Sequence, residues 1–217
     1  MKQARIKITL ALLALTGVLM AQTFESRGIA YRIDGENAIV VSKAEKYGGE
    51  ITIPAEVRHG GKCYRVTEIG ERAFAGCRKL MSVIATGNSL LKVGNAAFSG
   101  CMFLECVVLP QSVTTIGDDA FHMTNVATIQ LPSSLTSLGK RAFYFSALTE
   151  INLPPSLTTV DQRTFAGCNS LVRVRIPATT TQIADDAFYN CPNLKDILVD
   201  PANPVYVPST NGSLKRK

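Results

Sequence analysis

The chain has 217 residues, 18% of them charged, with a formal net charge of +6 and two histidines. Lys2, Arg5 and Lys7 carry three of those charges and Lys215, Arg216 and Lys217 three more, so residues 8–214 are neutral overall. A neutral body lacks the basic footprint of a nucleic-acid binder, which excludes nucleic acid as the expected partner.

Residues 1–21 read as a secretory signal. A basic start is followed by Ile8 to Met20, which carry no charge. That run is too short for a bilayer span and fits a cleaved export signal ending at Ala21. No later segment is long and apolar enough to cross a membrane. The mature chain is therefore expected to be exported, with a cell-surface, extracellular or periplasmic location.

Residues 22–66 predict an N-terminal β-hairpin cap. Ile29, Tyr31 and Ile33 alternate, Asp34-Gly35 supplies a turn, and Ala38 to Val41 returns. A second return through His59-Gly60-Gly61 precedes Tyr64 to Val66. Such a cap would cover the apolar end of a repeat array.

Over residues 66–200 the chain repeats itself. Phe74, Phe98, Phe121, Phe143, Phe165 and Phe188 follow one another at steps of 24, 23, 22, 22 and 23 residues. A period in the low twenties marks a solenoid of stacked supersecondary units. Five residues before each Phe stands Ile69, Val93, Ile116, Leu138, Val160 or Ile183, and Ala precedes the Phe in five of six copies. After it comes an apolar-x-x-apolar-x-apolar triad, such as Leu171, Val174 and Ile176. The end of that triad alternates as a half-buried strand does, and Pro110, Pro132, Pro154 and Pro177 close four of the strands. The third and fourth copies are one residue shorter between Phe and triad. Gly70, Gly94, Gly117 and Gly139 predict a turn with positive φ, with Asp161 and Ala184 in their place elsewhere. The expected fold is an α/β-type repeat solenoid: a curved, leucine-rich-repeat-like stack with one short parallel strand per copy of about 23 residues and an N-terminal β cap.

Residues 201–217 predict an irregular basic tail. Pro201, Pro204 and Pro208 block strand pairing and favour loose packing over folding across the last strand.

The pattern A-F-x-G-C-x-x-L of Ala73 to Leu80, with V-T-x-I-G of Val113 to Gly117, resembles the BspA-like leucine-rich repeats of bacterial surface proteins. The stretch from Ile51 to Phe74 is similar to that family's lead-in, and the resemblance covers about residues 28–207. It departs from ordinary leucine-rich repeats in lacking an asparagine ladder after the strand. The resemblance implies a curved solenoid used for attachment to proteins or surfaces. It implies no catalytic residues.

Four of six cysteines (Cys77, Cys101, Cys168 and Cys191) share one repeat slot, filled by Thr124 and Ser146 in the short copies. Small residues there favour a narrow buried site and free thiols. Disulfides between Cys77 and Cys101 and between Cys168 and Cys191 remain the alternative, and metal ligation is disfavoured for want of a paired cysteine motif. Cys106 should point outward. His122 follows a ladder Phe and is expected to face solvent. Asp118-Asp119 and Asp185-Asp186 recur in equivalent turns and read as exposed turn residues. No nucleophile, metal or phosphate motif is present, so neither an enzyme nor a cofactor is expected.

Residues flanking the middle apolar position of each triad should face outward on a ribbon roughly 24 Å long. On it Thr128, Gln130, Glu150, Asn152, Arg173 and Arg175 are the expected partner-binding residues, with the arginines as anchors. The expected function is a secreted or cell-surface binding module for protein interaction or adhesion, its ligand a protein; the resemblance implies a host extracellular-matrix or envelope component as candidates. The alternative is a structural envelope component organising neighbouring surface proteins or polysaccharide.

Overall fold

One stack of rings runs through the molecule. Phe74, Phe98, Phe121, Phe143, Phe165 and Phe188 follow each other at centroid separations of 5.1, 5.1, 5.1, 5.6 and 5.5 Å, with ring planes within 10° of parallel. Tyr47 closes the N-terminal end of the stack at 4.7 Å from Phe74. The computed structural model describes residues 22–217, and the signal-like segment 1–21 lies outside the described residues.

The cap comprises β1 (Thr23–Ser26), β2 (Ile29–Asp34), β3 (Asn37–Val41), β4 (Gly48–Ile53), β5 (Glu56–His59) and β6 (Lys62–Ile69). β2 and β3 pair antiparallel with Asp34 opposite Asn37, which leaves Gly35 and Glu36 as the two-residue turn. β5 and β6 pair with His59 opposite Lys62, around Gly60-Gly61. β3 then runs parallel to β6, and β4 runs parallel to the next strand. The cap thereby presents two parallel templates to the coil.

Each copy uses them in turn. The edge strands β6, β8 (Lys92–Val93), β10 (Thr115–Ile116) and β11 (Ser137–Leu138) form one parallel run. β13 (Thr159–Val160) and β15 (Gln182–Ile183) form its continuation. The face strands β4, β7 (Lys79–Ala85) and β9 (Cys106–Val108) form a second parallel run. β12 (Glu150–Asn152), β14 (Arg173–Ile176) and β16 (Asp196–Val199) form a third. A copy therefore contributes two strands where the sequence predicts one; the second is the two-residue segment just ahead of Gly94, Gly117, Gly139, Asp161 or Ala184. The exception is the third copy, whose Val126–Leu131 segment forms no strand.

The α/β description does not hold, because no helix occurs among the described residues. The segment around each Phe turns instead of coiling. Arg72, Ala96, Asp119, Arg141 and Arg163 adopt φ between 51° and 55° two residues before their Phe. This left-handed residue breaks any right-handed helical run and turns the amides toward the neighbouring copy. Arg72, Phe74 and Gly76 donate to the carbonyls of Asn95, Ala97 and Ser99 at 2.9, 2.8 and 2.8 Å. Equivalent bonds join every pair of adjacent copies, for example Phe143 N to Thr164 O at 2.8 Å.

The glycines before these turns serve another purpose than the expected one. Gly70, Gly94, Gly117 and Gly139 have no positive φ. A Cβ on Gly94 would sit 2.7 Å from the Glu71 amide nitrogen and one on Gly70 would sit 2.7 Å from the Val40 carbonyl oxygen. Close stacking of successive turns, not backbone chirality, excludes a side chain there.

The tail is ordered, contrary to the expectation of loose packing. β17 (Tyr206–Val207) pairs antiparallel with β18 (Lys215–Arg216), and Ser209 bridges Ile197 of the last face strand. Asn203 is fully buried and ties the turn together. Its side-chain amide donates to Pro177 O and Thr180 O at 2.8 and 2.9 Å, while its oxygen accepts the amides of Val205 and Tyr206. The prolines stop a parallel ladder but leave an antiparallel fold-over open, and a buried asparagine supplies the hydrogen bonds they cannot.

Candidate functional site: a groove across the interrupted face sheet

Among the described residues the face sheet is interrupted only at the third copy. There Ala127 O accepts the amide of Thr149 at 2.9 Å, but residues 128–131 make no backbone–backbone hydrogen bond. A groove of about 770 Å³ opens across the gap. Thr128, Gln130, Glu150 and Asn152 line it together with Glu105, Cys106, Val108 and Gln111. Arg173 and Arg175, the expected anchors, lie one strand beyond the lining. Arg173 is half-buried and its guanidinium bonds Asp196 at 3.0 Å across the sheet. Arg175 is exposed beside Asn152 in the parallel register.

The floor combines polar and apolar surface. Val108 remains 47% exposed, enough to offer an apolar contact. Gln111 Oε1 accepts both the amide and the hydroxyl of Ser133 at 2.8 and 2.9 Å, a rung between the positions just after two strand-closing prolines. Glu105 accepts from Asn125 Nδ2 at 3.4 Å. The sequence reading missed Glu105, Gln111 and Ser133 because it considered only the triad flanks. Their signal was available in the aligned copies, where Gln111 and Ser133 both follow a proline.

The opposite side of the coil carries a second hollow of about 580 Å³, lined by Arg72, Ser99, Asp119, His122, Arg141 and Tyr144. His122 is half-buried here instead of facing solvent. Burial lowers its pKa; Asp119 opposes that shift and Arg141 adds to it. Nδ1 lies 3.5 Å from Ser99 Oγ and 3.9 Å from Asp119 Oδ1. A hydrolytic relay places hydroxyl and carboxylate on opposite ring nitrogens. Here both approach one, and Asp119 is clamped by Arg141 at 3.0 and 2.8 Å. The aspartates knit turns together: Asp118 Oδ1 accepts the Lys140 amide at 2.8 Å, one copy on from the rung between Asn95 Oδ1 and the Asp118 amide. Among the described residues no group of three or more histidine, cysteine or acidic side chains is placed to hold a metal ion.

All six cysteines are free thiols. Cys101, Cys168 and Cys191 each donate to the Phe carbonyl of the preceding copy, at 3.0, 3.1 and 3.2 Å. Burial pushes Cys101 and Cys168 up to about 12.

A stack of short parallel strands, capped at both ends and built on an aromatic ladder, defines a leucine-rich-repeat solenoid. The BspA-type leucine-rich-repeat region matches residues 67–195 in six copies, and the chain belongs to that family. Among solved structures it is similar to a Treponema pallidum leucine-rich-repeat protein (28% identity, TM-score 0.69, covering 84% of this chain and 81% of that one). It is also similar to a leucine-rich-repeat protein from Bacteroides ovatus (26%, 0.67, 82% and 55%). The pneumococcal vaccine antigen PcpA shares the fold (23%, 0.75, 91% and 54%). The chain thus spans little more than half the length of the latter two. No curated protein matches it in sequence.

Proposed function

We propose that this chain is an exported, surface-located binding module that holds a protein partner in the face groove. The observation that carries the reading is the interruption at the third copy, which brings Thr128, Gln130, Glu150 and Asn152 around one open groove instead of a closed sheet. A surface that mixes exposed Val108 with amides and carboxylates suits a protein-sized ligand better than an enclosed small molecule. Membership of a repeat family whose solved relatives are bacterial leucine-rich-repeat proteins supports the same reading. Among the described residues no helix is long and apolar enough to cross a membrane, in keeping with export as the route to the surface.

The test is capture of purified extracellular-matrix proteins and, separately, of envelope proteins from the producing cell. The intact protein is compared with Asn152→Trp, which fills the groove from an exposed strand position. Capture of a matrix protein that the tryptophan abolishes supports adhesion. Capture confined to envelope proteins makes the module an organiser of its own cell surface. Capture unchanged by Asn152→Trp overturns the groove reading.

A further inference from the structure

We infer that the face groove accepts an extended peptide strand bearing a lysine or arginine side chain. This rests on the reading of the groove as the binding surface and names its occupant.

The backbone provides the first half of the argument. At the entry to each face strand, an amide donates to the copy before it: Glu105 to Met81 O at 3.0 Å, Thr149 to Ala127 O at 2.9 Å, Val172 to Thr149 O at 2.8 Å and Lys195 to Val172 O at 3.0 Å. The bond from Ala127 to the second copy is missing from this series. The next four residues, 128–131, pair with neither neighbour. Residues 128–131 line the open groove with main-chain groups committed to no ladder, and an extended segment laid along the groove could bond them through its own main chain.

Charge provides the second half. The ionised side chains lining the groove are Glu105 and Glu150, both exposed, and neither lysine nor arginine joins them. Glu150 stands opposite Arg173 in register, but Arg173 turns away to Asp196. Arg175 sits one strand further out, beside Asn152, and biases the far end toward a polar or anionic group. An acidic groove attracts a basic ligand and repels an acidic one. Alternate side chains of an extended peptide point the same way, so a basic and an aliphatic residue two positions apart would set a cation between the glutamates and an aliphatic group on Val108.

Fluorescence anisotropy of short labelled peptides tests this on the full chain. The probes are a repeated Lys-Ser-Val-Ser peptide (Lys–Val), which presents Lys and Val on one face, the same peptide with Glu for Lys (Glu–Val), and the Lys–Val peptide N-methylated at alternate amides. The Lys–Val peptide is expected to bind at least about tenfold more tightly than either of the others. The double variant E105Q/E150Q, checked for an unchanged melting temperature, should remove the preference between Lys–Val and Glu–Val. Equal binding of those two peptides, no binding of either, or full tolerance of N-methylation overturns the inference. If the peptides fail while Asn152→Trp still abolishes protein capture, only the occupant is wrong. If both fail, the groove reading falls with it.

Discussion

The phenolic oxygen of Tyr206 accepts the amide hydrogen of Ile183 at 2.9 Å, closing the last edge strand from outside the repeats. Tyr47 does the same at the other end, accepting the Ala30 amide at 3.0 Å and donating to Val41 O at 2.7 Å. Both tyrosines are buried. The two ends of the coil are thus sealed by the same device.

Replacing Tyr206 with Phe keeps the ring and leaves the Ile183 amide buried without an acceptor. The expected cost is about 1–3 kcal/mol, read from urea denaturation. An unchanged midpoint would mean that the tail does not dock on the sixth copy.

Phe143 is fully buried between Phe121 and Phe165. Phe143→Ala should cost roughly 3–5 kcal/mol, and Lys140→Ala, at an exposed turn, less than about 0.5 kcal/mol. Comparable losses at both positions would contradict a single aromatic stack.

Gly94→Ala drives a methyl group into the Glu71 amide and the Gly70 carbonyl carbon, 2.7 and 2.9 Å away. Backbone must move, at an expected cost of about 1–3 kcal/mol. Met123 makes the opposite case: it holds φ 54° on an exposed surface, where four other copies carry glycine or asparagine and the fourth copy carries Phe145. Met123→Gly removes a strain of roughly 1–2 kcal/mol, partly offset by unfolded-chain entropy, and should leave thermal stability equal or higher. A lower melting temperature for Met123→Gly would show that its side chain packs.

The ladder was legible because its signal is periodic and local: a Phe at every copy with an aliphatic residue five positions earlier. The second strand was not, since two residues such as Lys92–Val93 are too few to show alternation. The glycines were recognised but given the wrong physical reason, because a turn demanding positive φ and a turn pressed against its neighbour both exclude a side chain. Four of the six expected face residues do meet in one groove. The groove itself arises from pairing that fails between copies, and such non-local failure leaves no trace in any one copy's pattern. The ion pair of Arg173 was not legible for a related reason: its partner Asp196 lies one copy away.

Burial separates the thiols chemically. Cys101 and Cys168, with pKa pushed up to about 12, should resist iodoacetamide in the native protein and react only on unfolding. Exposed Cys106 should be modified first, ahead of Cys63, whose thiol is raised chiefly by its hydrogen bond to Glu56. Mass spectrometry of native and urea-unfolded samples reads the order directly. Early labelling of Cys101 would place the ladder's thiols at the surface.

His122 gives a pH signature. With its folded pKa depressed by burial, it takes up a proton more readily when unfolded. Its contribution to stability is therefore complete above about pH 6.5 and is lost as pH falls below that value through the folded pKa. Wild type should lose stability faster than His122→Gln on acidification through this window. Parallel curves would show a freely solvated imidazole.

Amide-to-carbonyl bonds along the Phe row join all six copies without a gap, from Phe74 and Ala97 through to Phe165 and Ala187. The face run lapses at the third copy and the edge run between β11 and β13. A molecule fastened along one margin and unfastened at two places on the others flexes about that margin, as pages open about a binding. The two lapses fall away from that margin, so the stacked rings keep their register and the interior stays closed where the other runs are unfastened.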